Sequence, residues 1–385
     1  MELAQPPFRA PLAAYESQAE ILLAAHRAAD PLAIDLFHRK HPRFLDEKIK
    51  WLPKSVGDGE IRDAVLSLDD ARLAIARNYD FLDWHALENF VEAVSRDGPV
   101  FTFEAAVEAV VGGDLACLKD ALRRDLALVH ARSSRVCHFD PPLHRATLLH
   151  YIAANGVEAY HQKTPPNAVE IGRALLAAGA EPDALAYMYG TTCTTMSMLV
   201  SSDHPAKAGL QVALVELLLE FGAAIDGCAG GKWDQPIFTA LTFGMGEAAR
   251  LLAARGARID LPAASGLGAV GEATRLLPSA DDEDRRRALS LAAQHGQAEI
   301  VDLLLDAGVD PNRFNPETNH PHTTPLHQAA LGGHETVVRL MVARGARLDI
   351  RDTLWNGTPL GWAHHGGRND RLRMIDCLRS LGAAE

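Results

Sequence analysis

Histidines and cysteines are the residues best suited to chemistry, yet their spacing selects no reaction. The chain has 385 residues with 17 histidines and five cysteines. Cys193, Asp203-His204 and His150 come nearest to a nucleophile with its base. Such a pair needs the imidazole within hydrogen-bond reach of the thiol and a third group to orient the ring. Asp203 could orient His204, but nothing in the spacing requires it. His320, His322 and His327 are the densest histidine group, yet neither CxxC nor HExxH spacing accompanies them, so no metal is expected. A Gly-rich phosphate loop and a G-x-S-x-G elbow are also missing from the sequence. The expected catalytic set is therefore empty, no cofactor is expected, and a binding protein is favoured over an enzyme.

Whatever these groups do, short helices must position them. The stretch Thr324-Pro325-Leu326-His327-Gln328-Ala329-Ala330-Leu331-Gly332-Gly333 reads as one helix. Thr324 can cap it by accepting an orphan amide, and Pro325 fits the first helical position, where a missing N–H costs nothing. Leu326, Ala329 and Ala330 make a narrow apolar face. Val337, Val338, Leu340 and Met341 supply a second helix at helical spacing, and Gly345 fits the left-handed position after it. The start returns 34 residues later at Thr358-Pro359-Leu360. The second-helix pattern recurs at Leu175-Leu176-Ala177-Ala178-Gly179-Ala180, at Leu217-Leu218-Leu219-Glu220-Phe221-Gly222, at Leu251-Leu252-Ala253-Ala254-Arg255-Gly256 and at Leu303-Leu304-Leu305-Asp306-Ala307-Gly308. A weaker unit begins at Phe103, with Leu118 and Leu122 on its second helix.

This T-P-L-H-x-A start on a period near 33 residues resembles the ankyrin repeat. The resemblance implies an all-α fold: an ankyrin-repeat solenoid with short β-hairpin fingers, of about seven to eight units over residues 99–385. Residues 1–98 lack the repeat and are expected to form an N-terminal helical cap. Its expected helices run over 18–29, 31–39, 59–68, 70–78 and 84–95, with Phe81, Trp84 and Leu87 covering the apolar end of the stack. The stretch from Ala71 to Leu87 resembles the N-terminal part of bacterial ankyrin-repeat proteins, which implies a bacterial source. The last unit is expected to act as its own cap, with Arg368, Asn369, Asp370, Arg371 and Arg373 making its surface polar.

The resemblance also implies where a partner would bind, since fingers and first helices line the concave face of ankyrin proteins. The binding set expected there is Tyr151, Tyr187, Tyr189, Trp233, Asp234, Asn319, His322, Trp355 and Asn356. Aromatic rings at finger tips suit interface anchors, and a protein or peptide is the expected partner. The alternative is a small-molecule-binding protein or enzyme with a pocket lined by Tyr151, Tyr187, Tyr189, Cys193 and Trp233. Two insertions, residues 157–167 and 201–209, offer a route to self-association. The opposite departure is a deletion. Only seven residues separate Gly256 from Ala263, where 21 separate Gly308 from Ala329. That predicts a degenerate unit near 258–284 without a finger or the start of its first helix. A cleft is expected there, between Trp233 and Phe238 on one side and Arg313 and Phe314 on the other.

A net charge of −12 argues against sequence-independent binding of nucleic acid, which needs basic surface, and mildly favours a basic partner by steering. Five unpatterned cysteines suit a reducing compartment. The start Met1-Glu2-Leu3-Ala4-Gln5-Pro6-Pro7 lacks the basic and apolar regions of a signal peptide, and no apolar run is long enough to cross a membrane. A cytoplasmic protein with no membrane contact is expected.

Overall fold

The structure is a computed structural model that describes residues 3–366 and 368–384. Met1, Glu2 and the side chains of Arg368, Asn369 and Asp370 lie outside the described residues. The chain divides into two compact units, Met1–Ala223 and Ala224–Glu385. Residues up to 98 fall in the same compact unit as those that follow them as far as Ala223. Among the described residues, strand is confined to one antiparallel hairpin, Ala186–Met188 with Thr191–Cys193.

The first unit opens with helices Leu12–Arg27, Pro31–Lys40, Asp58–Arg62, Leu68–Asn78 and Trp84–Ser95. The third is shorter than the 59–68 expected. Ser67 takes the chain out of helix to cap the next one, its hydroxyl accepting from the Asp70 amide while the Asp70 carboxylate accepts from Ser67 N–H. Phe81 and Leu87 are fully covered, and Trp84 is half-buried. Repeat helices follow: Pro99–Gly112 with Leu115–Arg124, then Ala168–Ala177 and Gln211–Glu220. In the second unit, first helices Pro236–Thr242, Leu261–Leu267, Asp282–Gln294, Pro325–Leu331 and Pro359–Ala363 alternate with second helices. One apolar cluster runs from Leu261 and Ala264, on the second of these first helices, to Leu326, Val338 and Leu378. The Thr-Pro-Leu-His start at Thr324 works as expected. Thr324 Oγ1 lies 2.8 Å from His327 Nδ1, and the other ring nitrogen reaches the Gly357 carbonyl of the next finger at 3.2 Å.

Two departures change shape on inspection. The unit after Gly256 keeps its first helix. Leu261–Leu267 is as long as Pro325–Leu331, and Asp260 caps it by accepting from Ala263 N–H at 2.9 Å. Asp260-Leu261-Pro262 replaces the usual start, so only the finger is lost. The insertion at 157–167 is not a free protrusion. Val157, Glu158 and His161 are buried, and the insertion packs inward.

Glu158 is the centre of an ionic knot that joins the segments of the first unit. Its carboxylate lies 3.4 Å from Arg135 Nε, 2.9 Å from His144 Nε2 and 3.1 Å from His161 Nδ1. Arg135 also donates to Glu104 at 2.9 Å and to the Tyr160 hydroxyl, and its guanidinium lies 4.0 Å from the Phe90 ring centre. His161 bridges on to Glu108 at 3.0 Å. Asp80, at φ 62°, accepts from Ala159 N–H at 2.6 Å and faces Lys40 and His138. Beside it, Phe81 pairs with Cys137 of the first finger. Burial pushes the Glu158 carboxyl up, but Arg135, His144 and His161 outweigh it and hold it well below the usual range. Burial alone would lower His161, yet its two carboxylate partners raise it above 6.5.

Removing one member of such a buried set leaves an unpaired charge, which costs roughly 3–5 kcal/mol. Glu158→Gln is therefore expected to lower the urea-unfolding free energy by about that amount. The pH dependence divides by sign. His161 has a raised folded pKa, so its contribution is complete below 6.5 and fades as pH rises through the raised value. The stability gap between wild type and His161→Gln should thus be wider at pH 6 than at pH 9. Burial depresses His138 to about 4 and His150 to about 3, so they act oppositely, and total stability should fall as pH drops from 6.5 toward 4. A gap independent of pH would contradict the charged state assigned to His161.

Candidate functional site

A chain of ring contacts crosses the second unit. Trp233 meets Phe243 edge-on with centroids 5.3 Å apart, and Phe243 meets His320 at 6.3 Å. His320 lies 6.0 Å from His322, which lies 5.2 Å from Trp355 and 5.8 Å from Trp362. Trp355 and Trp362 are themselves 5.8 Å apart. The rings come from three kinds of position. Trp233, His320, His322 and Trp355 stand on fingers, Phe243 ends the helix Pro236–Thr242, and Trp362 lies within Pro359–Ala363. Trp355 is 55% exposed and Phe243 39%, while Trp233, His320, His322 and Trp362 are half-buried.

The ribbon carries little free charge. Burial, then His320 nearby, depresses His322 to about 4, and burial lowers His320 as well. Both rings are neutral at pH 7. Burial works to raise the Asp352 carboxyl, but donors from Trp355, Trp362, Gly357 and Leu354 outweigh it and keep it ionised. The carboxylate is therefore occupied in holding the Trp355 turn and the Trp362 indole N–H, at 2.6 Å and 3.0 Å. Asp234 accepts from the amides of Cys228, Ala229 and Gly230, so it builds its own loop. Lys232 pairs with Glu317 at 3.4 Å, and Arg351 donates to the Asn356 carbonyl at 2.8 Å.

The nine residues expected at a binding face are scattered in role. Trp233, His322 and Trp355 join the ribbon, and Asn356 is exposed beside Trp355 in the left-handed region. Asn319 is completely buried within its finger rather than on the exposed face expected of it. Asp234 is likewise a loop-forming group rather than one free to set a partner's hydrogen bonds. Tyr187 and Tyr189 are 48% and 59% exposed on the hairpin of the first unit, where Tyr189 donates to Asn155 at 2.7 Å. Tyr151 is corrected too. Its ring is wholly buried beside Phe103 and His161, and its hydroxyl donates to Glu158 at 3.3 Å. Phe243, His320 and Trp362 were not anticipated. The finger before Thr324 is three residues longer than the one before Thr358, with 16 positions from Gly308 against 13 from Gly345, and a place there or on a first helix is the only signal these rings carry in sequence.

The expected pocket of Tyr151, Tyr187, Tyr189, Cys193 and Trp233 does not form as a lining. Tyr151 and Cys193 have no exposed surface, so neither can line it. His204 is exposed while the Cys193 thiol faces the Met188 carbonyl at 3.7 Å. His150, depressed to about 3, is a poor base. The expected cleft near 258–284 is spanned on its Phe238 side, while an open depression of about 570 Å³ lies beside Glu283, Arg286, Arg313 and Phe314. Phe238 is buried under Arg287, and the finger of residues 309–323 reaches across the gap, with His320 donating to the Thr242 carbonyl at 3.0 Å. An enclosed cavity of about 30 Å³ lies between the segment 5–10 and Tyr15, Tyr79, Arg135 and Tyr160, room for a water.

Among the described residues, one group has the composition of a metal site: Cys137, His144 and Glu158, all buried. Its chemistry does not suit a cation. His144 Nδ1 accepts from Ala146 N–H at 3.1 Å, so the proton sits on Nε2, the atom that faces Glu158. A ligand nitrogen must present a lone pair, and this one presents a hydrogen. The Arg135 charge beside the same carboxylate adds repulsion, and burial pushes the Cys137 thiol well up, away from thiolate.

Comparison with known proteins follows the helix-pair pattern. The family described as Ankyrin repeats (3 copies) matches residues 289–380. Cyclin-dependent kinase 4 inhibitor B of Bos taurus is 35% identical over 131 residues, covering 32% of this chain and 95% of that protein. Cyclin-dependent kinase inhibitor 2A of Homo sapiens is 34% identical over 99 residues, 26% of this chain and 60% of that protein. The human ASB11 ankyrin repeat domain aligns with a TM-score of 0.38 and 20% identity, over 73% of this chain and 98% of that one. With 95% of a relative covered at 35% identity, and the recurring helix pairs in place, the chain belongs to the ankyrin-repeat family.

Proposed function

We propose that the chain is a protein- or peptide-binding scaffold whose docking face is the aromatic ribbon from Trp233 to Trp355. The continuity of that ribbon carries the reading. Its ring-to-ring path is about 23 Å, so at most roughly seven residues of extended chain could lie along it. Amphipathic rings supply contact area at small entropic cost, and the charges beside them already have partners within the unit. Relatives named as inhibitors of cyclin-dependent kinases act on a protein, which supports a protein partner here without naming it. Self-association would run through residues 201–209, since Val157, Glu158 and His161 of the 157–167 insertion are buried. The small-molecule alternative loses its support with the burial of Tyr151 and Cys193.

The test begins with partners captured from native lysate on the immobilised chain and identified by mass spectrometry. Affinity for the identified partner is then measured for Trp233→Ala and Trp355→Ala. Loss of a central aromatic anchor is expected to cost roughly 2 kcal/mol, about 30-fold in Kd. Trp355 is more exposed, so its variant should melt within a few degrees of wild type. Two variants that both bind like wild type would remove the ribbon as the docking face.

A further inference from the structure

The finger of residues 309–323 spans the gap left by the missing finger, and it does so under constraint. Glu317 reaches Lys232 at 3.4 Å, His320 donates to the Thr242 carbonyl at 3.0 Å, and the His320 ring sits against Phe243. Thr318 and His320 take φ of 72° and 52°. A β-branched residue adopts the left-handed region only when its surroundings force it there. Between them Asn319 is completely buried, and neither atom of its carboxamide has a hydrogen-bond partner among the described residues. Thr242 Oγ1, Gln294 Oε1 and Asn315 Oδ1 are unpartnered as well, and Gln294 Nε2 lies 2.8 Å from the same Thr242 carbonyl that His320 bonds. Unpaired buried amides oppose the closed position, because water would satisfy them. The finger also borders an open depression of about 570 Å³ beside Glu283 and Arg286, so its outward movement meets solvent.

We propose that this finger is a strained flap, latched in the middle of the ribbon, and that lifting it presents the Asn319 carboxamide to the main chain of an extended partner segment. The carboxamide offers one donor face and one acceptor, the match for a peptide group. The proposal rests on the reading of the ribbon as the docking face.

Amide hydrogen exchange of the full chain tests the flap without a partner. The reporters are the amides of Asn315, Asn319 and Thr323, which bond to Thr323, Pro316 and His320 carbonyls inside the finger. They should exchange on the order of a hundredfold faster than the amides of the helix Pro325–Leu331. Thr318→Asn tolerates the left-handed region, and Asn319→Leu removes the unpaired amide. Each should slow finger exchange about tenfold, while Glu317→Gln, which loosens the latch, should speed it. A finger as protected as the helix overturns the proposal. Faster exchange in Asn319→Leu also overturns it, because the amide is then bonded in the closed state. With a partner in hand, Thr318→Asn should weaken binding about tenfold by holding the flap shut. Slowed exchange with unchanged affinity overturns the presentation of Asn319. The Trp355→Ala result judges the ribbon separately, so the two readings fail by different measurements.

Discussion

An ankyrin helix pair exposes an apolar flank on each side until a neighbour covers it, and this constraint governs both compact units. Where the pattern is regular, small residues such as Ala329, Ala330 and Ala293 allow first helices to approach closely. Where it breaks, other chain must take over the missing contacts. The second unit lost a finger after Gly256, and the three-residue-longer finger before Thr324 leans across the space. The first unit gained residues 157–167, and these turn inward to supply Glu158 and His161. In both cases other chain takes up much of the space that the departure leaves.

Filling has an electrostatic consequence in the first unit. Arg135 and Glu158 are too deeply buried to be tolerated singly. They persist because Glu104, His144, His161 and the faces of Phe81 and Phe90 surround them. Apolar residues of similar volume would stabilise as well or better, so the knot is better read as fixing geometry than as adding stability. Asp80 in a left-handed turn, the first finger and the insertion meet there, and each carries a hydrogen bond the others require.

Much of the fold was legible because the Thr-Pro-Leu-His start joins local and tertiary causes. Thr324 caps its helix, Pro325 starts it, and His327 ties it to the next finger, so one short motif reports all three. Asp260-Leu261-Pro262 does the same local work with other residues, and the loss of first helix read from the Gly256–Ala263 spacing was an overcount. The site was legible only in part. Trp233, His322 and Trp355 stand on fingers, whose place the repeat predicts. Tyr151 looked like a surface ring because its helix position faces the concave side in a regular unit. The inserted Glu158 and His161 cover it here. Asn319 reads as a loop residue among Pro, Glu and Thr, and its burial depends on Lys232 and Thr242, some 80 positions away. Periodicity carries no information at that separation.

The charge of the molecule and the chemistry of the ribbon act on different parts of association. A net −12 shapes the long-range field, which sets encounter rates and fades with salt. The proposed docking face is neutral at pH 7, its histidines uncharged and its Lys232, Asp234 and Asp352 engaged within the unit. Residence there would depend on ring contact and displaced water, which ionic strength barely alters. Basic character in a partner would thus speed arrival, while apolar side chains of an extended segment would govern departure. Acidic composition alone therefore cannot identify what the ribbon holds. The ring faces define the occupant more narrowly: an extended, largely uncharged stretch of chain.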